Sequence, residues 1–175
     1  RWYREGVEYT SPGTFIPIAE DSGLIEEISD TILEQVCSRL SGWDLAAGDD
    51  FKVAINLSPR QFDNVGLLRE IEKRLHRYQL SGRHLELELT ERLLMNNADK
   101  TAAKLMHLKE LGATIAIDDF GTGFSSLAYL TRFPIDKLKI DRSFVSQLCE
   151  VHDKQVIVST IVAMAKNLSM QVVAE

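Results

Sequence analysis

Cysteine, long apolar runs and excess positive charge are all scarce in this 175-residue sequence. Its two cysteines, Cys37 and Cys149, lack the close spacing of zinc ligands, so neither a disulfide framework nor a zinc site is expected. No segment has the pattern of a membrane-spanning helix, a signal peptide or a low-complexity linker. The net charge of -6 argues against binding of a nucleic acid polymer through a basic surface. The 45% hydrophobic content is enough for one domain with a substantial core.

Five short segments contain an apolar run that ends in polar or charged residues, and helical patterns separate them. They are residues 51–58, 84–91, 114–127, 136–141 and 170–175. The third segment is the most informative, because its β-branched run ends abruptly in Asp118 and Asp119, followed by a glycine-rich turn. In a parallel α/β barrel the carboxyl ends of the strands lie on one rim, so we expect these polar groups to converge there.

The polar residues at these strand ends fall on corresponding faces. Side chains alternate along a strand, which places Asn56, Glu88 and Asp118 opposite the apolar residues of their own runs. Lys139 lies in the same way between two apolar neighbours. Periodicity alone fits a sheet with one solvated face equally well. Because parallel strands joined by crossover helices are normally covered on the outside, we interpret the polar side as a barrel interior.

Three stretches carry apolar residues at the spacings of three and four that are typical of helices. The apolar positions are Ile28, Ile32, Leu33, Val36, Cys37 and Leu40; Leu68, Ile71, Leu75 and Tyr78; and Ile157, Ile161, Met164, Ala165 and Leu168. Ser58 and Pro59 match a helix start with a serine cap. Gly82 and Gly112 stand where a helix must stop before the next strand. The repeated order of helix and strand predicts an α/β fold.

The rim would be crowded with negative charge. It would carry the carboxylates of Glu88, Asp118, Asp119 and Glu175. Two carboxylates about 4 Å apart repel by about 4 kcal/mol at an effective dielectric constant of about 20, so such a rim either takes up protons or binds cations. Together with Asn56 these side chains offer oxygen ligands, which favour Mg²⁺ or Mn²⁺ over zinc. Lys139 inside such a rim keeps its charge only beside anionic groups.

Several ordered motifs resemble one protein family. They are FIPIAEDSGLI (15–25), NLSPRQF (56–62), ELTE (88–91), DDFGTGFSSL (118–127), LKIDRSF (138–144) and VVAE (172–175). With these motifs the chain resembles the EAL domain, the cyclic di-GMP phosphodiesterase, over nearly its whole length. Any one motif alone is a weak signal, whereas their common order and compatible spacing are specific.

The resemblance implies a modified TIM-type (β/α) barrel. Such a domain opens one phosphodiester of cyclic di-GMP to give linear pGpG, and it uses two Mg²⁺ or Mn²⁺ ions. The residues that match its metal ligands are Asn56, Glu88, Asp118, Asp119 and Glu175. Asp118 matches the ligand that bridges the two ions, and Lys139 matches the lysine that orients or activates the attacking water. Lys139, Asp118 and Glu175 are therefore the expected catalytic residues.

Four further residues match positions that hold the loop or the substrate. Glu91 matches a glutamate that anchors the loop beginning at Asp119, and Gly121 and Gly123 give that loop its backbone freedom. Arg1 matches an arginine that contacts a phosphate of the substrate, although a terminal arginine by itself is usually a solvated charge.

The resemblance also implies that residues 1–175 are one incomplete EAL-like domain. The Glu-Ala-Leu strand that would precede Arg1 and the segment that would follow Glu175 are not in the sequence, so we expect the chain alone to be inactive. The parent protein is expected to be a bacterial cytoplasmic homodimer, or the cytoplasmic part of a membrane-anchored protein, with attached sensory or GGDEF domains. The alternative is a receptor that binds cyclic di-GMP without cleaving it; such receptors usually lose metal ligands that this chain keeps.

Overall fold

The computed structural model describes residues 2–43, 51–95, 97–122, 130–146 and 148–175. An antiparallel hairpin of β1 (Trp2–Arg4) and β2 (Val7–Thr10) comes first, followed by helices α1 (Pro12–Ser22) and α2 (Ile25–Leu40). The sequence pattern predicts α2 but neither the hairpin nor α1. All three residues of β1 are exposed, and α1 buries only Ala19, so neither element shows the apolar periodicity on which such predictions depend.

Five parallel strands form the main sheet, in the order in which they occur in the chain. They are β3 (Val53–Leu57), β4 (Leu85–Thr90), β5 (Thr114–Phe120), β6 (Lys137–Ile140) and β7 (Gln171–Ala174). Each strand lies within one of the five predicted segments. A sheet whose order follows the chain without reversal is typical of a barrel rather than of a doubly wound fold.

Helices lie between β3 and β4, between β4 and β5, and between β6 and β7. They are α3 (Pro59–Asp63), α4 (Leu67–Arg77), a 3₁₀ turn (Gly82–His84), α5 (Glu91–Leu94), α6 (Ala98–Glu110), α7 (Arg142–Val145) and α8 (His152–Asn167). The α/β fold predicted from the sequence is confirmed. Among the described residues, no helix is both long enough and apolar enough to cross a membrane.

Both faces of the central strands are covered. On one face of β4 and β5, the side chains of Leu85, Leu87, Leu89, Ile115 and Ile117 are completely buried. On the opposite face of β4, Glu86 and Glu88 are each only 6% exposed. A solvated face would leave these carboxylates in water, so the polar side of β4 is an interior side, as the barrel interpretation requires.

Gly112 and Gly82, both predicted to end helices, have different roles in the structure. α6 stops just before Gly112, whose φ of +92° is the left-handed conformation of a helix end, as predicted. The prediction that Gly82 also ends a helix is wrong, because α4 ends at Arg77 and the left-handed residue there is Gln79. A side chain at position 82 would put its Cβ 2.1 Å from the carbonyl oxygen of Leu111, so glycine is needed there for close packing.

Candidate functional site

The ammonium group of Lys139 lies among carboxylates from three strands or strand ends. Its Nζ atom is 2.8 Å from Glu88 Oε1, 3.0 Å from Asp118 Oδ1 and 2.6 Å from Glu175 Oε1. The side chain of Lys139 is 12% exposed and that of Glu88 only 7%. The structure thus brings together four of the residues singled out in the sequence, at the carboxyl ends of β4 to β7.

The strand register accounts for this convergence. Asn56 pairs with Glu88 across β3 and β4, and its Nδ2 atom donates a hydrogen bond to Glu88 Oε2 at 3.0 Å. Lys139 pairs with Val173, two residues before Glu175. Because side chains two residues apart share a face of a strand, these pairings direct the polar groups of neighbouring strands to the same side.

A bulge in β5 presents two aspartates to one lysine. Ile117 pairs with Leu138 and Phe120 pairs with Ile140, so Asp118 and Asp119 both lie opposite Lys139 alone. Asp119 has a φ of +51°, the left-handed conformation in which an extra strand residue is accommodated. Regular alternation would send adjacent side chains to opposite faces, whereas the bulge lets both carboxylates reach the site.

Burial of Lys139 disfavours its charged form, but the surrounding carboxylates more than compensate. Hydrogen bonds to Glu175, Glu88 and Asp118 raise the pKa of the Lys139 ammonium above its usual value. The group therefore stays cationic and offsets part of the negative charge at this end of the sheet.

Asp119 experiences the remaining negative charge. Partial burial of its carboxylate raises its pKa, and the nearby charges of Asp118, Asp141 and Glu175 raise it further. One oxygen from each of Asp118, Asp119 and Glu175 lies within 4.8 Å of the others. A divalent cation among such oxygens would relieve this repulsion.

The donor set fits a hard divalent cation. The oxygen ligands available are the carboxylates of Glu88, Asp118, Asp119 and Glu175 and the amide oxygen of Asn56. Mg²⁺ and Mn²⁺ prefer such oxygen ligands, whereas zinc sites are richer in cysteine and histidine. The two cysteines of the chain lie elsewhere, one buried in α2 and one exposed at position 149.

Glu91 lies beside the start of the loop that follows β5. It is 8% exposed, and its Oε2 atom accepts a hydrogen bond from the N–H of Gly121 at 3.4 Å. Gly121 has a φ of +102°, and a Cβ there would lie 3.0 Å from Phe144 Cε2, so a larger residue would be strained in two ways. The predicted loop residue Gly123 and the predicted phosphate contact Arg1 lie outside the described residues.

Two acidic residues near the site were not singled out in the sequence. Asp141 interacts with Asp119 and caps α7 by accepting the N–H of Ser143 at 2.9 Å; the hydrogen bond from the Ser143 side chain, and then that from its N–H, lower the pKa of Asp141. Glu86 forms an ion pair with Lys137 one step further from the rim, at 2.5 Å. Alternation could have indicated both, since Asp141 shares a face with Lys139 and Glu86 shares one with Glu88.

Comparisons with known proteins agree with the motifs. The family described as "EAL domain" matches residues 1–175. This chain is 41% identical, over all of its 175 residues, to the bifunctional diguanylate cyclase/cyclic di-GMP phosphodiesterase MucR of Pseudomonas aeruginosa. It covers 26% of that protein. Over the same length it is 40% identical to the cyclic di-GMP phosphodiesterase NbdA of that organism, of which it covers 22%. The chain thus spans between 22% and 26% of these curated relatives.

A solved structure gives the same result for the fold. The PaMucR phosphodiesterase, in complex with c-di-GMP, matches with a TM-score of 0.92 at 41% identity. The match covers 99% of this chain and 70% of that chain. The family inferred from the motifs is therefore confirmed: this chain belongs to the EAL domain family.

Proposed function

We propose that this chain is part of a metal-dependent phosphodiesterase that hydrolyses cyclic di-GMP to linear pGpG. One observation carries the proposal: Glu88, Asp118 and Glu175 converge on Lys139 at the carboxyl ends of adjacent parallel strands. The names of the relatives MucR and NbdA, both cyclic di-GMP phosphodiesterases, support the same substrate. In the reaction, water adds to phosphorus and one ribose oxygen leaves, so the ring opens into a linear dinucleotide.

Five side chains would hold two Mg²⁺ or Mn²⁺ ions. They are Asn56, Glu88, Asp118, Asp119 and Glu175. Asp118 is the proposed bridging ligand, as the resemblance to the family implies; it shares Lys139 with Glu88 and belongs to the same oxygen cluster as Asp119 and Glu175. When bound, such paired cations lower the pKa of water and stabilise the charge that builds on the phosphate.

The remaining residues position the reactants. Lys139 holds a charged, hydrogen-bonding ammonium group within the ligand cluster, where it can orient the attacking water. Glu91 fixes the backbone at Gly121, and Gly123 is proposed as a further positioning residue of the same loop. Arg1 is the proposed contact to a phosphate of the substrate.

The parent protein is proposed to carry further domains and to act as a homodimer. This chain spans 26% of MucR and 22% of NbdA, so both relatives have most of their length outside the matched region. Sensory or GGDEF domains are the proposed additions.

Asp118→Asn tests the proposal in a protein that extends this chain to the length of the family's domain. We expect turnover of cyclic di-GMP to fall at least about 100-fold, because the neutral amide cannot draw two cations together. Product analysis with saturating Mg²⁺ or Mn²⁺ measures the loss. Turnover near that of the unaltered protein would contradict the role of Asp118. Binding of cyclic di-GMP by the unaltered protein without any cleavage would instead identify a receptor.

A further inference from the structure

Asp136 makes an unusual number of contacts at the amino end of β6, opposite the end that carries the site. Its carboxylate accepts hydrogen bonds from Lys109 Nζ, at 2.7 Å to each oxygen, and from the N–H of Ile115 at 2.8 Å. Its own N–H donates to the carbonyl of Ile115 at 3.0 Å, and its carbonyl accepts the N–H of Gln171 at 2.8 Å. One residue therefore joins β5, β6, β7 and α6.

The ladder of paired residues between β5 and β6 is short, so the contacts of Asp136 matter for the register of these two strands. Only two regular pairs, Ala116 with Lys137 and Ile117 with Leu138, precede the bulge at Asp118 and Asp119. A slip of one residue would turn every side chain of a strand to its other face. The position of Lys139 relative to β5 thus depends on these two pairs, on the single pair of Phe120 with Ile140 beyond the bulge, and on contacts such as those of Asp136.

The same contacts reach the other side of the site. Gln171, which donates to Asp136, is the first residue of β7 and lies four positions before Glu175. Lys137 pairs with Gln171, and Lys139 pairs with Val173. Fixing Asp136 against both neighbours therefore sets where Lys139 and Glu175 meet.

We propose that Asp136 is a positioning residue for the hydrolytic site, an inference that rests on the proposed function: it fixes the register of β5, β6 and β7 that brings Lys139 to Asp118 and Glu175. The side-chain oxygen that accepts the Ile115 N–H is the important atom, because it takes the place of a backbone carbonyl at the end of the ladder. The ion pair with Lys109 is secondary, since both of its side chains are about one-third exposed to water, 33% and 35%.

Variants of the extended protein separate these two contributions. Asp136→Ala removes the acceptor, Asp136→Asn keeps an acceptor of the same length without charge, and Lys109→Met removes only the ion pair. Asp136→Glu keeps the charge but shifts the carboxylate by one methylene. Asp99→Asn is the matched control, because Asp99 pairs with Arg132 at the surface and is 86% exposed.

We expect Asp136→Ala to lower kcat about tenfold or more with KM within about twofold, since a misplacement of about 1 Å in a catalytic group can cost about 100-fold. Asp136→Asn should recover kcat to within about threefold of the unaltered protein, and Lys109→Met and Asp99→Asn should match it, because the Ile115 bond survives in all three. Asp136→Glu should be slower than Asp136→Asn despite its charge. If Asp136→Ala does not fold, the comparison of kcat between Asp136→Asn and Asp136→Glu tests the inference instead, and a kcat of Asp136→Glu equal to or above that of Asp136→Asn would overturn it.

Hydrogen exchange gives a readout that does not depend on catalysis. The amides of Ile115 and of residues 171–174 should exchange faster in Asp136→Ala, while those of α2 should not change. If the unaltered protein does not cleave cyclic di-GMP, the proposed function fails, and this exchange pattern still tests the register. Unchanged kcat and unchanged exchange in Asp136→Ala would overturn the inference. A lower melting temperature of Asp136→Ala, with an unchanged kcat at temperatures well below that melting temperature, would also overturn the inference, because it would indicate a purely structural role.

Discussion

Lys139 is surrounded by the side chains proposed to hold metal ions, so its ammonium group and the ions draw on the same carboxylates. We expect Lys139→Ala to lower turnover at least about 100-fold, the range in which a positioned proton-transfer group contributes. The affinity for Mn²⁺ should stay the same or rise, because a competing positive charge is removed. Kinetics and calorimetric Mn²⁺ titration of the extended protein measure the two effects separately.

Lys137→Ala is the matched control for this variant. Lys137 lies two residues earlier on the same face of β6, but its partner is Glu86. Its loss should leave turnover within about threefold, since the ion pair of Lys137 is with Glu86 and the ion pairs of Lys139 are with Glu88, Asp118 and Glu175. Equal losses in the two variants would show that the interior charge as a whole matters and that Lys139 has no special role.

At the scale of single residues, the sequence predicts which side chains lie near one another, but not the backbone irregularity that brings two of them together. Alternation places Asn56, Glu88 and Lys139 on one face, and the structure agrees. It cannot place Asp118 and Asp119 together, because adjacent residues of a regular strand point to opposite faces. Only the resemblance to a family predicts both as ligands of one metal site, and the bulge opposite Lys139 is what lets both carboxylates approach the same cluster.

At the scale of secondary-structure elements, the start of the segment after β5 is held by Glu91, the first residue of α5, through the hydrogen bond that it accepts from the Gly121 N–H. We expect Glu91→Ala to speed hydrogen exchange at Gly121 and to weaken Mn²⁺ binding about tenfold, because Asp119 stands two residues before the released amide. Glu91→Gln is the control, since its amide oxygen can still accept the Gly121 N–H and should keep most of the affinity. Exchange that stays slow in Glu91→Ala, together with lost metal binding, would instead make Glu91 a direct ligand.

Helices α2 and α4 are held together by one buried guanidinium group. The Arg74 side chain is 9% exposed and forms ion pairs with Asp30, Glu34 and Glu70. Arg74→Met should lower the free energy of unfolding by about 1–3 kcal/mol, because three carboxylates lose their shared partner while remaining partly hydrated. Urea unfolding monitored by circular dichroism measures this change.

Arg77→Met serves as the comparison for that cluster. Arg77 lies three residues further along, is 66% exposed and contacts Glu34 at 3.2 Å. An exposed pair of this kind contributes little, so the variant should be within about 0.5 kcal/mol of the unaltered protein. A cost at Arg77 as large as that at Arg74 would mean that burial does not decide the strength of these pairs.

Apolar periodicity predicts elements that bury one face and misses elements that do not. The five strands of the sheet and helices such as α2, α4 and α8 follow their apolar patterns. The hairpin of β1 and β2 has no such pattern, because large side chains such as Trp2 and Tyr9 remain 49% and 59% exposed. The prediction for Gly82 is wrong for a related reason: sequence spacing cannot reveal a close approach to the distant residue Leu111.

At the scale of the whole molecule, the outer strands of the sheet are the feature from which we predict activity and self-association. Among the described strands, β3 pairs only with β4, and β7 pairs only with β6. A typical closed (β/α) barrel has about eight strands, whereas the sheet described in this chain has five. Asn56 on β3 and Glu175 just after β7 therefore belong to the two outer strands of the sheet as described, each of which pairs with one neighbour.

The last prediction concerns the 175 residues taken alone. We expect them to cleave no cyclic di-GMP with saturating Mg²⁺ or Mn²⁺, while the protein extended at both ends to the family's full domain does. The proposed reaction needs two cations at a fixed separation, and ligands on strands that pair on one side only are held less firmly in that geometry. Open edges also favour pairing with another chain, so size-exclusion chromatography should show self-association of the shorter chain and less of it after extension. Comparable cleavage by a monomeric 175-residue chain would show instead that Asn56, Glu88, Asp118, Asp119 and Glu175 are sufficient by themselves.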